Sequence, residues 1–255
     1  MVTAGVRPVV VVTGASGGVG RGIAIACGAA GWSVWVAARR SVEGRRVAEE
    51  VTAAGGSGNF VACDVGDGGS VASALALVVE QEGQLTGVVH NATSGRSPHP
   101  VVAADVPMGA LRDHVVVSVR GAYFLAQHAH PHLVASRGSL VLLTSEAGFQ
   151  GTRRLAPYAA VKAAVRGLAR SWAREWGPDG VRVNCVAPLA DSPALAEAMA
   201  ADPTMAERVL GRHPMGRLGD PVDDVGPVVR FLLSDEARYV TGATVMVDGG
   251  NAPIT

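Results

Sequence analysis

The chain has 255 residues, of which 48% are hydrophobic and only 17% charged, and its 22 acidic side chains are balanced by 22 basic ones. That balance argues against a broad nucleic-acid or anionic-membrane surface, and no apolar run approaches the roughly 20 residues of a membrane span. Three cysteines, Cys27, Cys63 and Cys185, are odd in number and lack metal-ligand spacing, which points to a reducing compartment such as the cytoplasm and to no metal site.

Residues 8–12, PVVVV, form a continuous β-branched run, as expected for a strand covered on both faces. Gly-rich TGASGGVG follows, then an apolar helical stretch from Val19 to Ala30 that Gly31 ends. SVWVAA (33–38) reads as the second strand and 43–54 as a helix. NFVACD (59–64) reads as the third strand and 69–82 as a helix. TGVVHNA (86–92) is the fourth strand, 107–135 one long helix, GSLVLLTS (138–145) the fifth strand and 157–176 another helix. VRVNCVA (181–187) is the sixth strand, and a polar, proline-punctuated stretch leads to a helix at 221–234 and a last strand, ATVMVD (243–248). Repeated βα units imply an α/β fold: a parallel sheet with helices on both faces and right-handed crossovers. With no repeat and no interdomain linker, residues 1–255 form a single domain. The longest irregular stretches, 93–106 and 188–220, fall at the carboxyl ends of strands, where such sheets bind ligands.

In TGASGGVG, Gly14, Gly18 and Gly20 stand between a strand and the start of a helix. Glycines there allow a tight turn and close approach of a pyrophosphate to the free N–H groups of the helix. Ser16 adds a hydroxyl, and Val19 opens the helix. A site selective for NAD usually has an acid at the end of the second strand to bind the ribose. Here that strand ends AARR, with Ala38 in place of the acid. Arg39 offers a charge-assisted partner for a 2′-phosphate, which favours NADP(H) over NAD(H); Arg40 reads as a solvated helix-start residue.

The chain contains one lysine, Lys162, in YAAVK, four residues after Tyr158. On a helix these positions are neighbours. An unperturbed phenol has a pKa of about 10, and an adjacent ammonium favours phenolate and lowers it. A compact ammonium can also donate to ribose hydroxyls, in a geometry that a planar guanidinium does not reproduce.

TGASGGVG, CDV (63–65), HNA (90–92), TSEAG (144–148), YAAVK, MGRLGDPVDDVGPVVRFLLSD (215–235) and VTGATVMVDGG (240–250) together resemble the short-chain dehydrogenase/reductase family, in order and spacing, over about residues 8–250. The resemblance is to its one-domain branch, which includes acyl-carrier-protein reductases and alcohol dehydrogenases. It implies a doubly wound Rossmann-type domain, a seven-stranded parallel sheet in the order 3-2-1-4-5-6-7, and a homotetramer. It implies hydride transfer between NADPH/NADP+ and a small carbonyl or secondary alcohol. Tyr158 would be the general acid or base, Lys162 would hold the ribose and tune Tyr158, and Ser145 would bind the substrate oxygen. Gly14, Ser16, Gly18, Val19, Gly20 and Arg39 would hold the cofactor phosphates, Asp64 and Val65 the adenine, and Asn91 would line the cleft. Substrate loops would be 93–106, 146–156 and 189–212.

Four positions depart from the family pattern. Ser118 stands where a helix asparagine completes the catalytic set; it keeps the backbone carbonyl that the proton relay uses. HNAT replaces NNAG, with His90 and Thr93. Pro188-Leu189 replaces Pro-Gly, and Ser192 replaces a threonine that contacts the carboxamide. These departures leave open a lyase or isomerase on the same scaffold, or a nucleotide-binding subunit of low activity. Arg166, Arg170 and Arg174 form a helical stripe that reads as a solvated or interface face, and Trp172 and Trp176 read as packing or interface anchors. Glu146 reads equally as a substrate contact and as a solvent-facing loop acid.

Overall fold

The computed structural model describes residues 7–252 apart from 96, 98, 194, 197, 198, 200–210 and 212. Much of the substrate loop expected at 189–212 therefore lies outside the described residues. The strands are β1 (Val9–Thr13), β2 (Ser33–Ala38), β3 (Ser57–Ala62), β4 (Gly87–His90), β5 (Ser139–Leu143), β6 (Arg182–Pro188) and β7 (Thr244–Val247). They pair in parallel in the order 3-2-1-4-5-6-7. The α-helices that the argument below uses are α1 (Gly18–Ala29), α2 (Ser41–Ala53), α3 (Gly68–Glu82), α4 (Met108–His114), α5 (Gly121–Ser136), α6 (Ala147–Gln150), α7 (Ala156–Trp176) and α8 (Gly226–Leu233).

The valine run of β1 explains the layering. Side chains alternate faces along a strand: Val9 and Val11 enter one core with residues of α3, α5 and α7, while Val10 and Val12 enter a second with residues of α1, α2 and α8. Both faces are covered, so every position must be apolar.

Three local differences from the sequence reading have clear causes. β3 begins at Ser57, two residues early, because β2 supplies a full ladder from Ser33↔Ser57 to Ala38↔Ala62. It stops at Ala62, and the Asp64 carboxylate then accepts the Gly66 N–H at 2.9 Å in a turn. The single helix expected at 107–135 is interrupted by a π-turn at Val115–Arg120, where Gly121 N–H reaches back to the Val116 carbonyl. Four of those six residues are valine, a weak helix former. The helix expected at 221–234 likewise opens with a π-turn at Pro221–Val225.

Candidate active site

Every sequence-predicted site residue sits at the carboxyl end of the sheet or on an element leaving it. After β1 the chain turns at Gly14, whose φ is +64°; a Cβ there would lie 2.7 Å from the Ala92 Cα. A Cβ at Gly20 would lie 2.4 Å from the Asn91 amide nitrogen and 2.8 Å from the Gly14 carbonyl oxygen. These contacts hold the loop flat against β4. No side chain caps the N-terminus of α1, so its first amides are available to an anion. The cradle therefore suits a pyrophosphate.

Asn91 supports this loop directly: its Nδ2 donates to the carbonyls of Thr13 and Gly14, both at 3.1 Å. The buried Thr13 hydroxyl accepts from the Asn91 and Ala92 amides at 3.2 and 3.3 Å. Sequence reasoning missed Thr13; its signal was a hydroxyl ending an otherwise all-valine strand.

Both arginines after β2 are exposed, and Arg40 makes contacts that its reading as a solvated helix-start residue does not include. Arg40 is tied to the loop: its guanidinium donates to Ser16 Oγ at 3.0 Å and pairs with Glu43 at 3.3 Å. It precedes α2 immediately, and its side chain turns back across the Gly-rich loop. Arg39 is exposed beside it. Asp64 is engaged with Gly66 and, through its own N–H, with Ser70 Oγ at 3.0 Å. Val65 is buried in the core against Gly121.

Opposite the loop, β6 delivers Pro188 and Leu189. The Leu189 N–H donates to Val247 at 2.9 Å and its carbonyl accepts from Gly219 at 3.1 Å. Ser192 accepts the Leu195 amide at 3.2 Å, and its Cβ would lie 3.9 Å from a Cβ at Gly18. Ser192 thus faces the glycine loop across the crevice.

Tyr158 and Lys162 project from one side of α7, the amine 5.6 Å from the ring centroid. Lys162 is buried and donates to the Leu143 carbonyl at 2.8 Å. Burial lowers its pKa from 10.5 to about 8. Thr144 Oγ1 fixes the same turn of α7 by donating to the Lys162 carbonyl at 2.9 Å. Ser145 lies near enough to the Tyr158 phenol to favour its ionised form, and it accepts the Ala147 amide at 3.2 Å.

The direction of the phenol's shift corrects the sequence reading. An ammonium neighbour was expected to lower it; instead burial raises it, with the nearby Ser145 hydroxyl opposing and the Glu146 carboxylate adding to the rise. The phenol holds its proton.

Ser118, on the π-turn, is buried and its hydroxyl has no hydrogen-bond partner among the described residues. Its carbonyl is engaged: His90 Nε2 lies 3.1 Å away and donates to it, because a carbonyl can only accept. The other ring nitrogen is 3.4 Å from Thr13 Oγ1. Burial foremost, then the Lys162 charge, lowers the His90 pKa to about 3 against the Ser118 hydrogen bond, so the ring is neutral.

Polar groups also ring Tyr158 on its outer side. His114, buried on α4, stands edge-on at 6.4 Å between ring centroids and is 2.9 Å from Ser97 Oγ. Glu146 Oε2 accepts from Asn251 Nδ2 at 2.7 Å. The Ser97–His114 and Glu146–Asn251 pairs were not foreseen from sequence. The arginine stripe divides: Arg166 donates to the Gly148 carbonyl at 2.9 Å and stacks on Phe149, 3.2 Å from its centroid, whereas Arg170 and Arg174 are exposed.

Comparison with known proteins agrees with this arrangement. A family profile described as enoyl-(acyl carrier protein) reductase matches residues 14–252. L-rhamnose 1-dehydrogenase (NAD(P)(+)) of Azotobacter vinelandii is 37% identical, over 94% of this chain and 95% of its own. A short-chain type dehydrogenase/reductase from Mycobacterium ulcerans superposes with a TM-score of 0.89 at 31% identity, covering 96% of this chain and 90% of its own. A 3-ketoacyl-(acyl-carrier-protein) reductase from Brucella melitensis complexed with NADH gives 0.86 at 28% identity, over 96% and 98%. The chain belongs to the short-chain dehydrogenase/reductase family and is an NAD(P)-dependent oxidoreductase of that family.

Proposed function

We propose that this enzyme reversibly reduces a small carbonyl compound to the secondary alcohol with NADP(H), and that Tyr158 is its general acid and base. The observation that carries this reading is the convergence of Ser145, the Tyr158 phenol and the Lys162 amine at the carboxyl end of β5.

The pyrophosphate would rest on the amides at the start of α1, with Asn91 and Thr13 holding the loop in shape from behind. Ala38 presents no charge to repel a 2′-phosphate, and Arg39 is exposed beside that position. Asp64 and Val65 would border the adenine. Pro188, Leu189 and Ser192 would border the nicotinamide. When bound, NADP(H) supplies or accepts the hydride. The chain's own residues handle the proton and the oxygen. Ser145 fixes the substrate oxygen next to the phenol. Tyr158, whose proton burial retains, donates it to the oxygen in reduction and takes it back in oxidation. Lys162 provides fixed positive charge and ribose hydrogen bonds without rearranging during reaction.

The stacked Trp172–Trp176 pair is buried, whereas Met108, Tyr123, Phe231 and Tyr239 are exposed. Such apolar surface supports a homotetramer. Buried free thiols at Cys27, Cys63 and Cys185 suit the cytoplasm.

Tyr158→Phe tests the assignment. It should abolish turnover while NADPH affinity, read by fluorescence titration, stays nearly intact. Wild-type rates in the variant would refute the role of Tyr158.

A further inference from the structure

Among the half-buried side chains at the Tyr158 centre is a carboxylate that the hydride chemistry does not need. Glu146 follows Ser145 in the chain and acts electrostatically on the phenol. One oxygen, Oε2, is held by Asn251 across 105 residues of sequence; the other, Oε1, accepts no hydrogen bond from the described residues. A second polar pair, Ser97–His114, also borders the Tyr158 ring.

This rim constrains what can enter. A substrate that fills the cleft displaces water from Glu146. A carboxylate stripped of water without receiving donors is strongly disfavoured. A plain ketone, an acyl chain or a thioester carries no donor near its reacting carbon. A second anion would meet repulsion. A neutral molecule with a hydroxyl on the carbon next to the reacting one gives an O–H to Oε1 while its reacting oxygen sits on Ser145 and Tyr158.

Building on the oxidoreductase reading, we propose that the substrate is a neutral polyhydroxylated compound of the sugar or cyclic polyol type, and that Glu146, oriented by Asn251, selects it through the hydroxyl vicinal to the reacting carbon. In the oxidative direction the carbinol C–H bond breaks and its hydride passes to NADP+. Tyr158, having first released its own proton to solvent, takes the O–H proton, and the carbon is left as C=O. The vicinal hydroxyl keeps its proton throughout, hydrogen-bonded to Oε1.

The test compares trans-cyclohexane-1,2-diol with cyclohexanol as substrates for the wild-type enzyme with NADP+. A hydrogen bond to a charged group contributes enough for kcat/KM to favour the diol by about tenfold or more. Glu146→Ala should bring that ratio to within about threefold of one, mainly through KM for the diol, and Glu146→Gln, which keeps an acceptor oxygen, should retain part of it. Equal kcat/KM for the two alcohols in the wild type overturns the proposal, as does a diol preference that survives Glu146→Ala. Reduction of cyclohexanone and ethyl 3-oxobutanoate with NADPH is run in parallel. Good turnover of these with no gain from hydroxylation sinks only the substrate assignment. Absence of nicotinamide turnover with all four compounds sinks the oxidoreductase reading and this one with it.

Discussion

Lys162→Met removes the buried ammonium and keeps most of the side-chain volume. Burial lowers the Lys162 pKa from 10.5 to about 8, and at about 1.36 kcal/mol per unit this is a penalty of roughly 3 kcal/mol for holding charge there near neutrality. The variant also loses the 2.8 Å hydrogen bond to the Leu143 carbonyl, which costs about 1–2 kcal/mol. The net expectation near pH 7 is stabilisation by about 1–2 kcal/mol, a rise in Tm of roughly 2–8 °C, together with loss of turnover. The folded-state pKa is the lower one, so between about 8 and 10.5 the unfolded wild type binds more protons than the folded one. Wild-type stability therefore climbs with pH across that window relative to the variant, and the variant's advantage should vanish and then reverse. Urea denaturation of both proteins at one protein concentration, near pH 7 and again near pH 10, measures this. A variant that is less stable near pH 7, or a difference that does not change with pH, would refute the account of Lys162 as a charge held against its burial cost.

Two further outcomes follow from the same geometry. Arg39→Ala should weaken NADPH binding by about tenfold or more with little effect on NADH, while Arg40→Ala, by releasing Ser16, should weaken both; isothermal titration with each cofactor separates them, and equal effects of Arg39→Ala on the two would rule out its phosphate contact. His90 has its pKa lowered from 6.5 to about 3, so its contribution is fully present above about pH 6.5 and is lost as pH falls toward 3, a loss of roughly 5 kcal/mol. His90→Asn should flatten that acid limb in urea titrations, and parallel pH profiles for the two proteins would contradict the burial of a neutral ring.

Strands and their order were legible because valine-rich runs covered on both faces carry an unmistakable pattern: β2 was read at its observed limits, and β1 was misplaced by a single residue. Tyr158 and Lys162 were legible because helical spacing alone brings them together. What escaped the sequence depended on partners far along the chain. The Asn251–Glu146 bond spans 105 residues and His90–Ser118 spans 28. The short α6 helix has only four residues, too few for periodicity to register. The phenol's direction was misjudged because spacing reports the neighbouring amine but not the burial that outweighs it. Arg39 and Arg40 were read from their position after the strand, which does not show that Arg40 reaches Ser16.

The imidazole at the tip of β4 lies between two structures that chemistry treats as separate. One ring nitrogen faces the carbonyl of the interrupted helix and the other the hydroxyl behind the glycine turn. The ring thereby ties the hydroxyl that supports the glycine turn to the backbone of the interrupted helix. Remodelling either segment for a new ligand would require the other to be rebuilt with it.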